Sequence, residues 1–223
     1  MPFAMTHLHI AYNILNNTSE IRNPNDFMLG AIAPDSVHFR EEYESDMKKA
    51  SHLCVGYEKW GSVTNNEEWL ENVLSFLEKN KDKEYSDFIY GYCSHVIADI
   101  QNNIKVWIPF KAENSDALKN EMGTSLCHKE ANDVDYSLYL MQPEQKKIWN
   151  LLEKSSGYDI PGVVIKDETD KMKHSIMHKQ FKNRQEADVS SNKYVSLISM
   201  KEFIEEESKY IKQLLYPLSL IHI

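Results

Sequence analysis

In the stretch GYCSHVIADI, residues 91–100, His95 and Asp99 stand four apart in a sequence otherwise suited to a buried helix. Residues at that spacing share a helix face, and this face also carries Phe88, Gly91, Tyr92, Ala98 and Asn102. A neutral imidazole and a carboxylate are metal-ligand types, and one helix turn presents both together. Gly91 and Ala98 are small, so another group can come close beside the pair. The other reading is a core histidine satisfied by its own neighbouring carboxylate. Among nine histidines and 34 acidic residues, about one such pairing arises by chance, so the motif needs companions.

Other segments supply candidates. In THLHIA, His7 and His9 are two residues apart and must face nearly opposite ways on a helix. His7 shares the apolar side with Ala4, Ile10, Ala11 and Ile14, whereas His9 shares the polar side with Asn13 and Asn16. We therefore expect His7 to point inward, as a core residue or a ligand, and His9 to meet water. In APDSVH a proline frees Asp35 from helical geometry, leaving a turn residue, a cap or a ligand. In KKASHLCVG, His52 reads as a surface imidazole or a ligand. Around His128, a polar stripe of Thr124, Ser125, Asn132, Asp135 and Tyr139 fits a solvated face or a partly closed cleft. Asp170, His174 and His178 follow i, i+4, i+8 spacing, but Lys171, Lys173 and Lys179 around them favour an exposed face over a metal clamp.

The elements that must position these residues are helices. Seven glycines and seven prolines punctuate 223 residues, and 3.6-residue periodicity predicts helices near 5–17, 25–33, 65–80, 84–106, 113–140, 143–154, 162–181 and 193–215. Segments 34–64, 107–112, 155–161 and 182–192 read as irregular or connecting. The expected fold is all-α, a single domain over 1–223 packed as a multi-helix bundle around its most apolar helix, 84–106. A net charge of −9 argues against a nucleic-acid backbone or an anionic membrane as principal partner. It leaves room for a phosphate-bearing substrate beside bound cations. Three cysteines without a CxxC pair fit reduced thiols. With no signal-peptide pattern and a C-terminal apolar tail too short to span a bilayer, the expected location is cytoplasmic.

Taken in order, the motifs resemble those of the zinc-dependent phospholipase C family, which shares an all-helical fold with S1/P1-type nucleases. The matching residues are Thr6–His7, Pro34–Asp35, Ser51–His52, the G-Y-x-x-H-x-x-x-D run from Gly91 to Asp99, and His128 downstream. They fall within residues 1–140, and 141–223 would add further helices. The resemblance implies a first zinc on Asp35, His52, His95 and Asp99. A second would share Asp99 and add His7 with the N-terminal region. The chemistry implied is hydrolysis of a phosphate ester by metal-bound hydroxide, with Asp35 as a ligand that also orients or deprotonates the water.

The chain also departs from that pattern. It begins MPFAM where the family uses a processed tryptophan ligand. The third family metal takes a histidine six residues after the bridging aspartate and a His-x3-Glu pair; here those positions hold Lys105 and Asn132, and His128 alone remains. Asn102, His38, Asp135 and the C-terminal histidines are possible substitutes. Lys105 cannot ligate zinc while charged, but it could neutralise a substrate phosphate. The expectation is one or two zinc ions rather than three, with other divalent metals possible. The substrate would be a small phosphate ester or a phospholipid headgroup. A metal-binding helical protein with reduced catalysis is the alternative, and a plain bundle with core histidines is the third reading.

Overall fold

The computed structural model describes residues 3–54, 58, 60–118 and 121–217. Its principal helices are α1 (Ala4–Asn16), α2 (Pro24–Gly30), α3 (Met47–Ser51), α4 (Asn66–Asn80), α5 (Ser86–Asn102), α6 (Ile108–Glu113), α7 (Ser115–Leu118), α8 (Glu121–Tyr139), α9 (Glu144–Glu153), α10 (Lys166–Ser175) and α11 (Leu197–Leu215). A 3₁₀ helix spans Ala33–Phe39, and π-helical turns span Asn103–Trp107 and Ile176–Gln180. Among the described residues there is no strand, only an isolated bridge between Ile160 and Val164. The all-α reading holds.

Helix α5 is the centre of the packing. Phe88, Ile89 and every residue from Gly91 to Asn102 are buried on it, and α1, α2, α4 and α11 all lean against it. Its contact with α2 is the closest. A Cβ added to Gly30 would collide with the carbonyl oxygen of Phe88, and one added to Gly91 would collide with that of Phe27. These two glycines let the backbones meet directly, a role for which no other residue is small enough. The small residue beside His95 thus admits α2.

Local signals set several boundaries. Asn23 accepts from the Asp26 amide ahead of Pro24 and starts α2. Ser196 accepts from the amides of Ile198 and Ser199, so the last helix begins at 197 rather than 193. Pro34 ends the second helix early and passes the chain into the 3₁₀ segment. Two stretches expected to be irregular hold short helices, α3 and α6. Five or six residues are too few for periodicity to show, and Pro109 in the first turn of α6 is a permitted position.

His9 corrects one expectation. It is 5 % exposed, and its Nε2 lies 3.2 Å from the carbonyl oxygen of Leu138. Helices α8, α9 and α11 pack against α1, and on the side the wheel marked as polar Asn13 is half-buried and Asn16 exposed. Burial pushes the His9 pKa down, with the Leu138 carbonyl opposing.

Replacing Gly91 gives a test with an informative sign. In an ordinary helix Gly→Ala stabilises by about 1 kcal/mol; here the added methyl must push the facing backbones apart. Overpacking costs about 1–3 kcal/mol or more. Gly91→Ala is therefore expected to lower the melting temperature by at least several degrees, read by circular dichroism. An unchanged or raised temperature would refute the close contact.

Candidate metal centre

Five of the motif residues meet beneath one end of α5. His95 and Asp99 come from α5 itself, His7 from α1, Asp35 from the 3₁₀ segment after α2, and His52 from the residue that caps α3. His7, His52, His95 and Asp99 are no more than 2 % exposed, and Asp35 is partly exposed. The His7 and His95 rings stack with centroids 3.6 Å apart. His7 Nε2 lies 3.5 Å from Asp99 Oδ1, and His52 Nε2 lies 3.4 Å from both Asp99 Oδ2 and Asp35 Oδ1. His95 Nε2 is 3.8 Å from Asp99 Oδ2 and 4.0 Å from Asp35 Oδ2.

Two of the imidazoles have a fixed orientation. His95 Nδ1 is 2.8 Å from the carbonyl oxygen of Ala31, and His52 Nδ1 is 2.9 Å from that of Lys48. A carbonyl only accepts, so each Nδ1 carries the hydrogen and each Nε2 presents a lone pair. This outer hydrogen bond is characteristic of metal-ligating histidines. The backbone around His52 is held in turn, because its carbonyl accepts from Trp69 Nε1 at 2.7 Å and the Ser51 carbonyl accepts from the Tyr92 hydroxyl.

The inner atoms are left unmatched. Both nitrogens of His7, Nε2 of His52 and His95, and both oxygens of Asp99 are buried without a hydrogen-bond partner. Buried polar atoms are otherwise nearly always paired, and a carboxylate buried without partners is costly. Such a set of inward lone pairs fits a divalent cation. His7, His95 and Asp99 form one group whose ligand atoms lie within 4.8 Å of one another, and Asp35, His52 and His95 form another. Asp99 faces His7 with one oxygen and His52 and His95 with the other.

The electrostatics suit a cation as well. Burial, with His7 beside it, pushes the His95 pKa down to about 3 against the pull of Asp99 and Asp35. Burial would raise the Asp99 pKa, but the three histidines outweigh it and bring it down to about 2. Asp35 is likewise well below the usual carboxylate range: burial opposes this, while Lys48 and the imidazoles of His52 and His95 prevail. Neutral histidines and ionised aspartates are the protonation states that bind metal.

Lys48 is the residue that sequence reasoning missed. Its ammonium lies 2.8 Å from Asp35 Oδ1 and 5.3 Å from the Trp60 ring. Burial works against its charge, but Asp35 and Asp99 more than offset this and its pKa is raised. The available signal was its spacing of four from His52, the same spacing that drew attention to His95 and Asp99.

A cavity of about 490 Å³ opens beside the cluster. Asp35 and Lys48 lie on its wall with Trp60, Trp69, Trp107 and Phe110. His128 and His38 also line it, but neither joins the converging set; His128 is exposed on α8, and His38 packs against Tyr43. Lys105 is not on the cavity wall. Its Nζ pairs with Glu207 Oε1 at 2.6 Å and points to α11, because the π-turn at 103–107 changes the rotation per residue beyond α5. The role as a phosphate ligand expected of Lys105 is therefore withdrawn. Asn132 is held by Arg184 Nη1 at 2.8 Å. Asp135 accepts from the Met5 amide at 2.8 Å, anchoring the start of α1. Asn102 is buried at the cavity. His174 and His178 are exposed and Asp170 pairs with Lys166, as a solvated face requires. Residues 1–2, expected near the second metal, and His222 lie outside the described residues.

The pKa directions set the acid response of the metal-free protein. His95 has a folded pKa below its unfolded value near 6.5, so below that pH the unfolded chain takes up a proton that the folded chain refuses. The contribution of His95 must fall as pH drops from about 6.5 toward 3. Asp135 acts in the opposite sense, because burial raises its folded pKa to about 7 and favours the folded chain as pH drops through that value. Asp35 and Asp99, with depressed values, add a further loss below about pH 4. The urea midpoint of metal-free wild type should therefore fall relative to that of His95→Gln between about pH 6.5 and 4. Parallel profiles of the two proteins would contradict this.

No curated protein and no solved structure matches the chain. The sequence model of the family described as zinc-dependent phospholipase C matches residues 6–101. That span contains His7, Asp35, His52, His95 and Asp99, so all five converging residues lie in the segment that is similar to this family.

Proposed function

We propose that the protein is a metal-dependent hydrolase of phosphate esters. The observation that carries the reading is the convergence of the Nε2 atoms of His7, His52 and His95 on Asp99, with no hydrogen bond made by any of them. Asp35, His52, His95 and one oxygen of Asp99 would hold a first ion. His7 and the other Asp99 oxygen would contribute to a second. A divalent ion bound there supplies Lewis acidity toward a phosphoryl oxygen and lowers the pKa of water.

The chain's own residues do the rest. Asp35 is the member of the cluster that reaches the cavity, so it is placed to orient a water against a bound ester. Ala31 and Lys48, through their carbonyls, keep His95 and His52 in the tautomer that leaves Nε2 free. Zinc suits this mixed imidazole and carboxylate donor set, although other divalent ions share it. The substrate class is a small phosphate ester or a phospholipid headgroup. The free thiols of Cys54, Cys93 and Cys127 support a reducing, cytoplasmic setting. We read the chain as one domain.

Zinc titration of chelator-stripped protein, followed by metal analysis after dialysis, tests the centre. One tightly held ion per chain is expected, a second more weakly held, and a clear rise in melting temperature. Three retained ions would overturn the count, and absence of zinc binding would return the cluster to a structural role. Asp99→Asn should lose more metal than His7→Ala, because Asp99 faces both groups; equal retention would refute the bridging role. The zinc-loaded protein should cleave activated phosphodiesters or monoesters and lose that activity to chelator. Tight zinc without any turnover would favour the metal-binding, non-catalytic alternative.

A further inference from the structure

We propose that Lys48 is the residue that receives the substrate's phosphate, serving as a fixed positive charge beside the metal centre. The inference rests on the phosphate-ester reading above. An ammonium has three N–H donors. Among the described residues that of Lys48 pairs with Asp35 alone, which leaves donors for an anion in the cavity that Lys48 and Asp35 both line. The side chain is 12 % exposed. It is thus screened from bulk water yet open to the cavity, where a charge-assisted hydrogen bond to a phosphate oxygen is strongest.

The lining gives the same assignment. Asp35 and Lys48 are the Asp, Glu, Lys and Arg side chains among the described residues of the cavity wall, so an anion entering it meets one ammonium. Trp60 beneath the ammonium limits where it can move. The two functions of this residue are separable, because its backbone carbonyl orients His52 whatever the side chain is.

The test measures binding of inorganic phosphate to zinc-loaded protein by calorimetry, together with zinc content, for wild type, Lys48→Met, Lys48→Arg and Lys105→Met. The proposal expects Lys48→Met to keep its zinc and bind phosphate about tenfold or more weakly. Lys48→Arg should recover most of the affinity, and Lys105→Met should match wild type. Unchanged phosphate binding in Lys48→Met would overturn the proposal. So would loss of zinc in that variant, since Lys48 would then act through Asp35 alone. A wild-type protein that binds no zinc, or binds zinc but no phosphate, instead removes the phosphate-ester reading itself.

Discussion

The direct backbone contact between α2 and α5, made possible by Gly30 and Gly91, is the constraint on which the remainder of the centre depends. It places the Ala31 carbonyl 2.8 Å from His95 Nδ1 and so sets the tautomer of the central imidazole. It also fixes where α2 ends, and Pro34 turns the chain there into the 3₁₀ segment that carries Asp35. Side chains at positions 30 and 91 would move two ligands at once, one on each helix. The helices touch through backbone because the distance between ligands on different elements must be held to fractions of an ångström.

The cluster that this contact assembles is expensive to keep without an ion. His52 and His95 turn Nε2 lone pairs inward beside His7, and two carboxylates lie among them with one lysine as counter-charge. A chain selected for stability alone would replace such a group with apolar side chains at little cost or with a gain. The rest of α5 shows that it could, since its remaining faces are filled by Phe88, Ile89, Tyr92, Val96, Ile97 and Ile100. Unpaired ligand-type atoms concentrated at one point of a mainly apolar helix, with two tautomers fixed from outside, fit a cation.

Much of the centre is legible in the sequence, and the failures have specific causes. Helix α5 and its His95–Asp99 pair are legible because a long apolar helix has a strong period and i, i+4 residues share a face. His7 is legible as an inward residue for the same reason. His9 is misjudged because a helical wheel ranks faces by composition, whereas α1 is enclosed by helices distant in sequence. Asp35 and His52 lie on elements too short to show a period, and the order of motifs locates them where local pattern does not. Lys105 is misplaced because counting six residues on from Asp99 assumes an unbroken α-helix through the π-turn. Lys48 sits in what reads as a charged surface stretch, and its burial follows from a tertiary contact that no local pattern encodes.

The segment beyond the family match supports the centre from outside it. Asp135 on α8 accepts the Met5 amide where Phe3 supplies no side-chain cap to α1, and α1 carries His7 into the cluster. Glu130 on the same helix accepts the amides of Lys193, Tyr194 and Val195, bringing Tyr194 and Val195 to the cavity wall. Helix α11 then closes against α1 and α5, with Glu207 taking the charge of Lys105. The later helices therefore complete two features that residues 6–101 lack alone, a fixed start for α1 and the far side of the cavity. Ligand geometry is carried by the matched segment, and the shape of what can reach the ligands is set largely by the rest. The wall they form together is rich in tryptophan, with charge confined to the floor at Asp35 and Lys48. Away from those two residues the wall is largely aromatic and aliphatic, and an apolar group leaving water against it gains about 25 cal/mol per Å² buried.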